Sequence, residues 1–215
     1  MMESTLGCRA AKQLQLPLLL VTEGVSDIEF FKRISRTLHV ANDRLPDLEQ
    51  LEQLRELIFI PIGGGEIVSW GERLSGLPNR RFQLHDLETG AEAARRRAAA
   101  AALNGPGCVA RLTSKRTLEN YLHPEAIRVA GGPLVRVTDG GDVPAAVAEA
   151  TFRAEAAGNC WDRLPPRARK RFVARAKRWL NCRAVLHMTP QLLDARDPAG
   201  DVRSWLTAIA ALLHE

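Results

Sequence analysis

Aromatic side chains make up only 5% of this 215-residue chain, with a single tyrosine, Tyr121, among them. Cysteine is scarce and scattered: Cys8, Cys108, Cys160 and Cys182 form no C-x-x-C pair. That spacing excludes a paired-cysteine zinc site and a dithiol redox motif, and leaves free thiols in a reducing, cytoplasmic setting as the expectation. No apolar run reaches membrane length, so no membrane partner is expected. The greasiest stretch, "LPLLLV", follows Arg9 and Lys12 but runs straight into Glu23 without a small-residue cleavage site, unlike a signal peptide. G-x-x-x-x-G-K-[ST] is missing, and so is H-x-x-x-H. The chain therefore shows neither a phosphate-binding loop of that type nor a helical histidine pair. Internal repeats are absent, and the one low-complexity patch is the alanine-rich segment at 91–102.

What is present is ordinary in bulk. Hydrophobic residues are 46% and charged residues 26%, as in globular rather than disordered proteins. Thirty Lys and Arg against twenty-five Asp and Glu leave a net charge of +5. That excess tilts mildly toward a polyanionic partner and says nothing about fold.

Strand and helix patterns alternate through the first half. "LPLLLVTEG", "LIFIPIGGG", "RRFQLHDLE" and "GCVARLTSKR" read as four apolar strands. Between them, "SDIEFFKRISRTLHV" repeats Phe30, Phe31, Ile34 and Leu38 at helical spacing, with Ser26 placed as an N-cap. "IVSWGERLSGL" reads as a short helix weakened by Gly71, "AEAARRRAAAAAL" as a helix closed by Asn104-Gly105-Pro106, and "TLENYLHPEAI" as another short helix. This order predicts an α/β fold with a parallel sheet and helices on both faces. Past "VTDGGDVP" the chain turns helical, with "RAVLHM" the only strand-like run. The expected division is an α/β unit at 1–135 and a helical extension at 136–215 packed on it.

Ligands of open parallel sheets gather at the carboxyl ends of the strands, and acidic residues fall there. Glu23 and Asp27 follow the first strand, Asp86 and Glu88 the third, and Glu119 the fourth. In an extended segment, Asp86 and Glu88 would project to one side. Carboxylates converging there repel one another unless a divalent cation neutralises them, and oxygen ligands suit Mg²⁺ or Mn²⁺. Each acid also has a structural alternative: Asp27 as a helix cap, Asp86 and Glu88 as loop residues. Their coincidence at one sheet edge favours the cation.

These segments resemble a known family. "VTEGVSDIEFF" resembles the first motif of the Toprim fold, "FQLHDLE" its D-x-D motif, and "SKRTLENYLHP" is similar to the segment after the fourth strand in OLD-family (overcoming lysogenization defect) nucleases. The likeness spans roughly residues 16–128. It implies a Toprim-like sheet and a metal-dependent DNA endonuclease, with Glu23, Asp27, Asp86 and Glu119 at the metal-binding positions. Two departures stand out. Glu88 replaces the second Asp of D-x-D, and the phosphate loop of the ABC-type ATPase domain that full-length OLD proteins carry does not occur in this sequence. The chain is therefore expected to be a stand-alone relative, a partner of a separate ATPase subunit, or a remnant.

The expected mechanism is two-metal phosphodiester hydrolysis. Glu23, Asp86 and Glu88 would hold one ion, and Asp27 and Glu119 would help hold a second. Lys115, Arg116 or Lys177 would stabilise charge in the transition state, Lys177 because OLD-type nucleases use a lysine from the later helical region. "RARKRFVARAKRW" offers a phosphate-backbone surface, or else an amphipathic helix with Phe172, Val173, Ala176 and Leu180 inward. Arg95, Arg96 and Arg97 are expected on an exposed helix face, "GGGE" at 63–66 as a tight turn, and Tyr121, His85 and His123 as structural residues. Two rivals stay open: a catalytically weak Toprim module binding nucleic acid or an ATPase, and, ranking last, a primase-type nucleotidyl transferase.

Overall fold

The computed structural model describes residues 16–63, 67–155 and 160–214. Four strands, β1 (Leu18–Thr22), β2 (Leu57–Pro61), β3 (Arg81–His85) and β4 (Cys108–Leu112), form one sheet in the order β2-β1-β3-β4. All three pairings are parallel, with Leu20 beside both Phe59 and Phe82, and Phe82 beside Val109. Alternation along each strand divides the sheet into two faces. Leu18, Leu20, Phe82 and Leu84 enter the larger core, whereas Val21 joins Ile62 and Leu74 in a smaller one opposite.

Helix α1 (Val25–Ala41) covers the larger face, where Phe30, Phe31, Ile34 and Leu38 lose all exposure. Its 3.6-residue pattern was legible, but its start was not. Gly24, not Ser26, is the N-cap, because Asp27 reaches back to accept the Gly24 N–H at 2.8 Å. Helix α2 (Leu48–Gln53), capped by Asp47, has no counterpart in the sequence reading, since six residues are too few to show a helical period. On the other face lie α3 (Ile67–Ser75) and α4 (Ala91–Leu103). Gly71, costly in a helix interior, is explained by contact: a Cβ there would collide with the Leu103 side chain of α4.

"TLENYLHPEAI" divides into a 3₁₀ turn at Leu118–Tyr121 and α5 (Pro124–Val129), with Pro124 in the first helical turn. Helices α6 (Val143–Glu155), α7 (Pro166–Cys182), α8 (Pro190–Arg196) and α9 (Asp201–His214) follow. "RAVLHM" is no strand. Ala184–His187 is a 3₁₀ turn burying Ala184 and Val185 while Leu186 stays exposed. The helical tail fills the same core as the α/β part: Trp205 of α9 lies 6.2 Å from Phe31 and 5.2 Å from Tyr121, ring centre to ring centre. One hydrophobic cluster runs from Leu18 to Leu212 across the 135/136 boundary.

Cys108, Cys160 and Cys182 are free thiols, and Cys8 lies outside the described residues, as do Gly64, Gly65 and Glu66 of "GGGE". Among the described residues no helix is long and apolar enough to cross a membrane.

Candidate metal centre

The chain leaves β1 toward β2 and leaves β3 toward β4, so the β1/β3 boundary is the topological switch point where an open sheet forms a crevice. Glu23 follows β1 and Asp86 follows β3, placing two acids on either side of that crevice. With Glu88 they form a cluster in which one oxygen from each carboxylate lies within 4.8 Å of the others. Oxygen ligands at about 2.0–2.6 Å from a hard cation lie up to about 4–5 Å apart. Glu23, Asp86 and Glu88 can therefore bind a metal ion.

The convergence arises differently from the extended spacing expected for Asp86 and Glu88. Strand β3 stops at His85, and Glu88 adopts φ +58°. This left-handed backbone is uncommon for a residue with a Cβ and marks a site held by its surroundings. Here the Leu87 N–H donates to Thr113 Oγ1 at 2.8 Å and the Glu88 N–H to the Arg116 carbonyl at 3.3 Å. Glu23 is fixed by the Asp86 N–H, which donates to its Oε1 at 3.0 Å.

The other two acids form a separate group. The Lys177 ammonium of α7 sits 3.1 Å from Asp27 Oδ1 and 3.6 Å from Glu119 Oε1. Asp27 fulfils the capping reading through Oδ2, while its Oδ1 faces the lysine. Glu119 is fully buried in its 3₁₀ turn. Its Oε1 accepts from Asn181 Nδ2 at 2.7 Å, and its Oε2 has no hydrogen-bond partner among the described residues. The pair assigned to a second ion therefore holds an ammonium.

Electrostatics reflect this crowding. Burial, with repulsion from Glu23, Glu119 and Asp27, pushes the Asp86 carboxyl well above the usual carboxylate range, against the pull of Lys177. Asp27 is raised chiefly by burial, although Lys177 opposes this. Burial alone would lower Lys177, but attraction from Glu119, Asp27 and Asp86 outweighs it and holds the ammonium above its ordinary value. A disfavoured charge on Asp86 is what carboxylates crowded together out of water show, and a cation among them would relieve it.

A cleft of about 670 Å³ opens over these residues, lined by Glu23, Asp86, Glu88 and Glu119 and by Arg169, Lys170 and Lys177 of α7. Lys115 does not line it. Its ammonium turns to Asp139 at 2.7 Å and lies over the Tyr121 ring, which holds it away from the acidic cluster. Arg116 does line the cleft, paired with Asp142 at 3.4 Å. Tyr121 is buried, donating to Asp201 Oδ2 at 2.6 Å, and His123 caps α5 by accepting the Glu125 N–H.

Sequence reasoning missed Asn181, Thr113 and, above all, Arg96. Arg95 and Arg97 are exposed as expected, but Arg96 turns in against Glu23. Arg96 shares a helix side with Ala93 and Ala100, the buried positions of α4, but alanines fill most of the other positions of that helix, so its sequence carries no period that singles Arg96 out.

His85 is 1% exposed and neither ring nitrogen has a hydrogen-bond partner among the described residues. Burial, aided by the Arg96 charge, pulls it down to about 4. A histidine depressed on folding stabilises the protein above its unfolded value of about 6.5, and that stabilisation is lost as pH falls toward 4. His85→Gln should remove an acid-side loss of about 3 kcal/mol, seen as a flatter stability profile between pH 6.5 and 4 in urea titrations. Parallel profiles for the two proteins would contradict it.

Comparison of the chain with protein-family models, curated proteins and solved structures returns no match.

Proposed function

We propose that this protein is a Mg²⁺- or Mn²⁺-dependent nuclease of the Toprim, OLD-like type that hydrolyses phosphodiester bonds in DNA. The observation carrying this reading is the meeting of Glu23, Asp86 and Glu88 within 4.8 Å at the switch point of a parallel sheet, beneath a basic helix. The four-stranded parallel sheet is consistent with the Toprim-like fold suggested by "VTEGVSDIEFF" and "FQLHDLE".

The chain's own groups fit the task. Glu23, Asp86 and Glu88 would hold the ion, which when bound supplies electrostatic neutralisation at a phosphoryl oxygen. Lys177, charged throughout the neutral range, faces the same cleft and offsets negative charge that grows as the phosphorus gains a fifth oxygen. A second ion at Asp27 and Glu119 would have to displace Lys177, so we favour one ion with the lysine in the second place. Arg169 and Lys170 line the cleft where neighbouring phosphates of a strand would run. Neither they nor Arg167, Arg171, Arg175 and Arg178 have an ion-pair partner among the described residues. Such unpaired charge favours backbone contact that is independent of sequence and weakened by salt.

Supercoiled plasmid incubated with Mg²⁺ or Mn²⁺ tests the proposal. The wild type should nick it in a metal-dependent manner, and Glu23→Ala should not. DNA binding without cleavage under both metals would refute hydrolysis and leave a nucleic-acid-binding module.

A further inference from the structure

Arg96 sits differently from the arginines on either side of it. Its side chain keeps only 13% of its exposure, and Nη1 contacts Glu23 Oε1 while also donating to the Asp86 carbonyl at 2.8 Å. Nε donates to Glu92 Oε1 at 3.3 Å, toward the solvent side of α4. The guanidinium fork therefore spans two carboxylates, Glu23 inside the cluster and half-exposed Glu92 outside it. Glu88 attracts it as well.

Three carboxylates gathered within 4.8 Å need a positive partner, and Arg96 is the cation in contact with one of them, Glu23. A divalent ion entering the same cluster would meet a like charge already resting on one of its ligands. The Glu23 oxygen concerned is doubly engaged, since it also accepts the Asp86 N–H. We propose that Arg96 is the resident counter-charge of the acidic cluster and competes with the divalent ion for Glu23, so that ion uptake shifts the guanidinium onto Glu92. The proposal rests on the metal-centre reading above. It makes Arg96 a positioning residue that sets ion affinity, with no contact to substrate required.

A purely structural arginine and a competing one differ in sign. Loss of a structural clamp loosens Glu23 and weakens ion binding; loss of a competitor strengthens it. Mn²⁺ titration calorimetry and thermal melts on the full chain distinguish them, using wild type, Arg96→Gln and Arg96→Lys. Arg96→Gln should bind Mn²⁺ roughly tenfold more tightly, within the usual range of coupling between two sites. Without ion it should melt below the wild type, and its melting temperature should rise further on adding Mn²⁺. Arg96→Lys keeps the charge and should bind within about threefold of wild type. Unchanged or weaker binding by Arg96→Gln, with a wild type that does bind, overturns the competition alone. Absence of Mn²⁺ binding by all three proteins overturns the metal centre and the competition together. Should Arg96→Gln fail to fold, Arg96→Lys decides: a tenfold loss of affinity would show that Arg96 orients Glu23 for the ion instead of contesting it.

Discussion

Asp86→Asn is expected to abolish metal-dependent DNA cleavage and at the same time make the ion-free protein more stable. The carboxylate is 6% exposed and faces Glu23, Glu119 and Asp27, so its charge is disfavoured wherever no cation balances it. A neutral amide of the same shape removes that repulsion, worth about 1 kcal/mol or a few degrees of melting temperature. Losing a ligand from the only three-acid cluster found among the described residues should cut the cleavage rate by roughly 10³-fold or more, about 4 kcal/mol of transition-state stabilisation. The pH dependence follows. An acid whose value is raised on folding stabilises the folded state while protonated, and that contribution is lost as pH rises through the folded value. Ion-free wild type should therefore lose stability on this account with rising pH, Asp86→Asn should lose less, and Mn²⁺ should erase the difference. Melting curves across pH, with and without Mn²⁺, check this. An asparagine variant that is less stable than wild type without ion would mean that Asp86 is structural.

Lys177→Met should be the most destabilising single change near the cleft. It strips the cation from Asp27, 2% exposed, and from Glu119, fully buried. Breaking a buried pair from one side costs about 3–5 kcal/mol. The lower end applies because the lysine side chain is 31% exposed and water can reach its place. A loss of about 3 kcal/mol corresponds to a drop on the order of 10 °C. Adding Glu119→Gln should recover part of it, because the orphaned charge goes with the carboxylate. A single variant melting within 2 °C of wild type would deny the network its electrostatic role. Recovery of the variant by Mn²⁺ at a second binding step would instead show that Asp27 and Glu119 accept an ion once the lysine is gone.

How much of this was legible in the sequence depends on distance along the chain. The strands were legible because five-residue apolar runs such as "LLLVT" have no other economical fate, and α1 because Phe30, Phe31, Ile34 and Leu38 repeat at 3.6 residues. Acids following strands pointed to one sheet edge, because parallel strands all end on the same side. The start of α1 was misplaced, since any of Gly24, Ser26 and Asp27 can cap and only the Asp27 hydrogen bond decides. Glu88's left-handed backbone was hidden too, being imposed by Thr113 and Arg116 from another strand's loop.

The sequence by itself determined the α/β alternation, the burial of the strands and the end of the sheet at which carboxylates collect. All three rest on local periodicity and on the direction of the chain. Only the tertiary structure decided which charge meets which. Arg96 could not be told from Arg95 and Arg97, nor Lys177 from Lys115, because identical side chains differ only by the helix rotation and packing that aim them. Seventy-three residues separate Arg96 from Glu23, and fifty-eight separate Lys177 from Glu119. Pairings at such range are set by how α4 and α7 pack around the sheet, through contacts that no local pattern encodes.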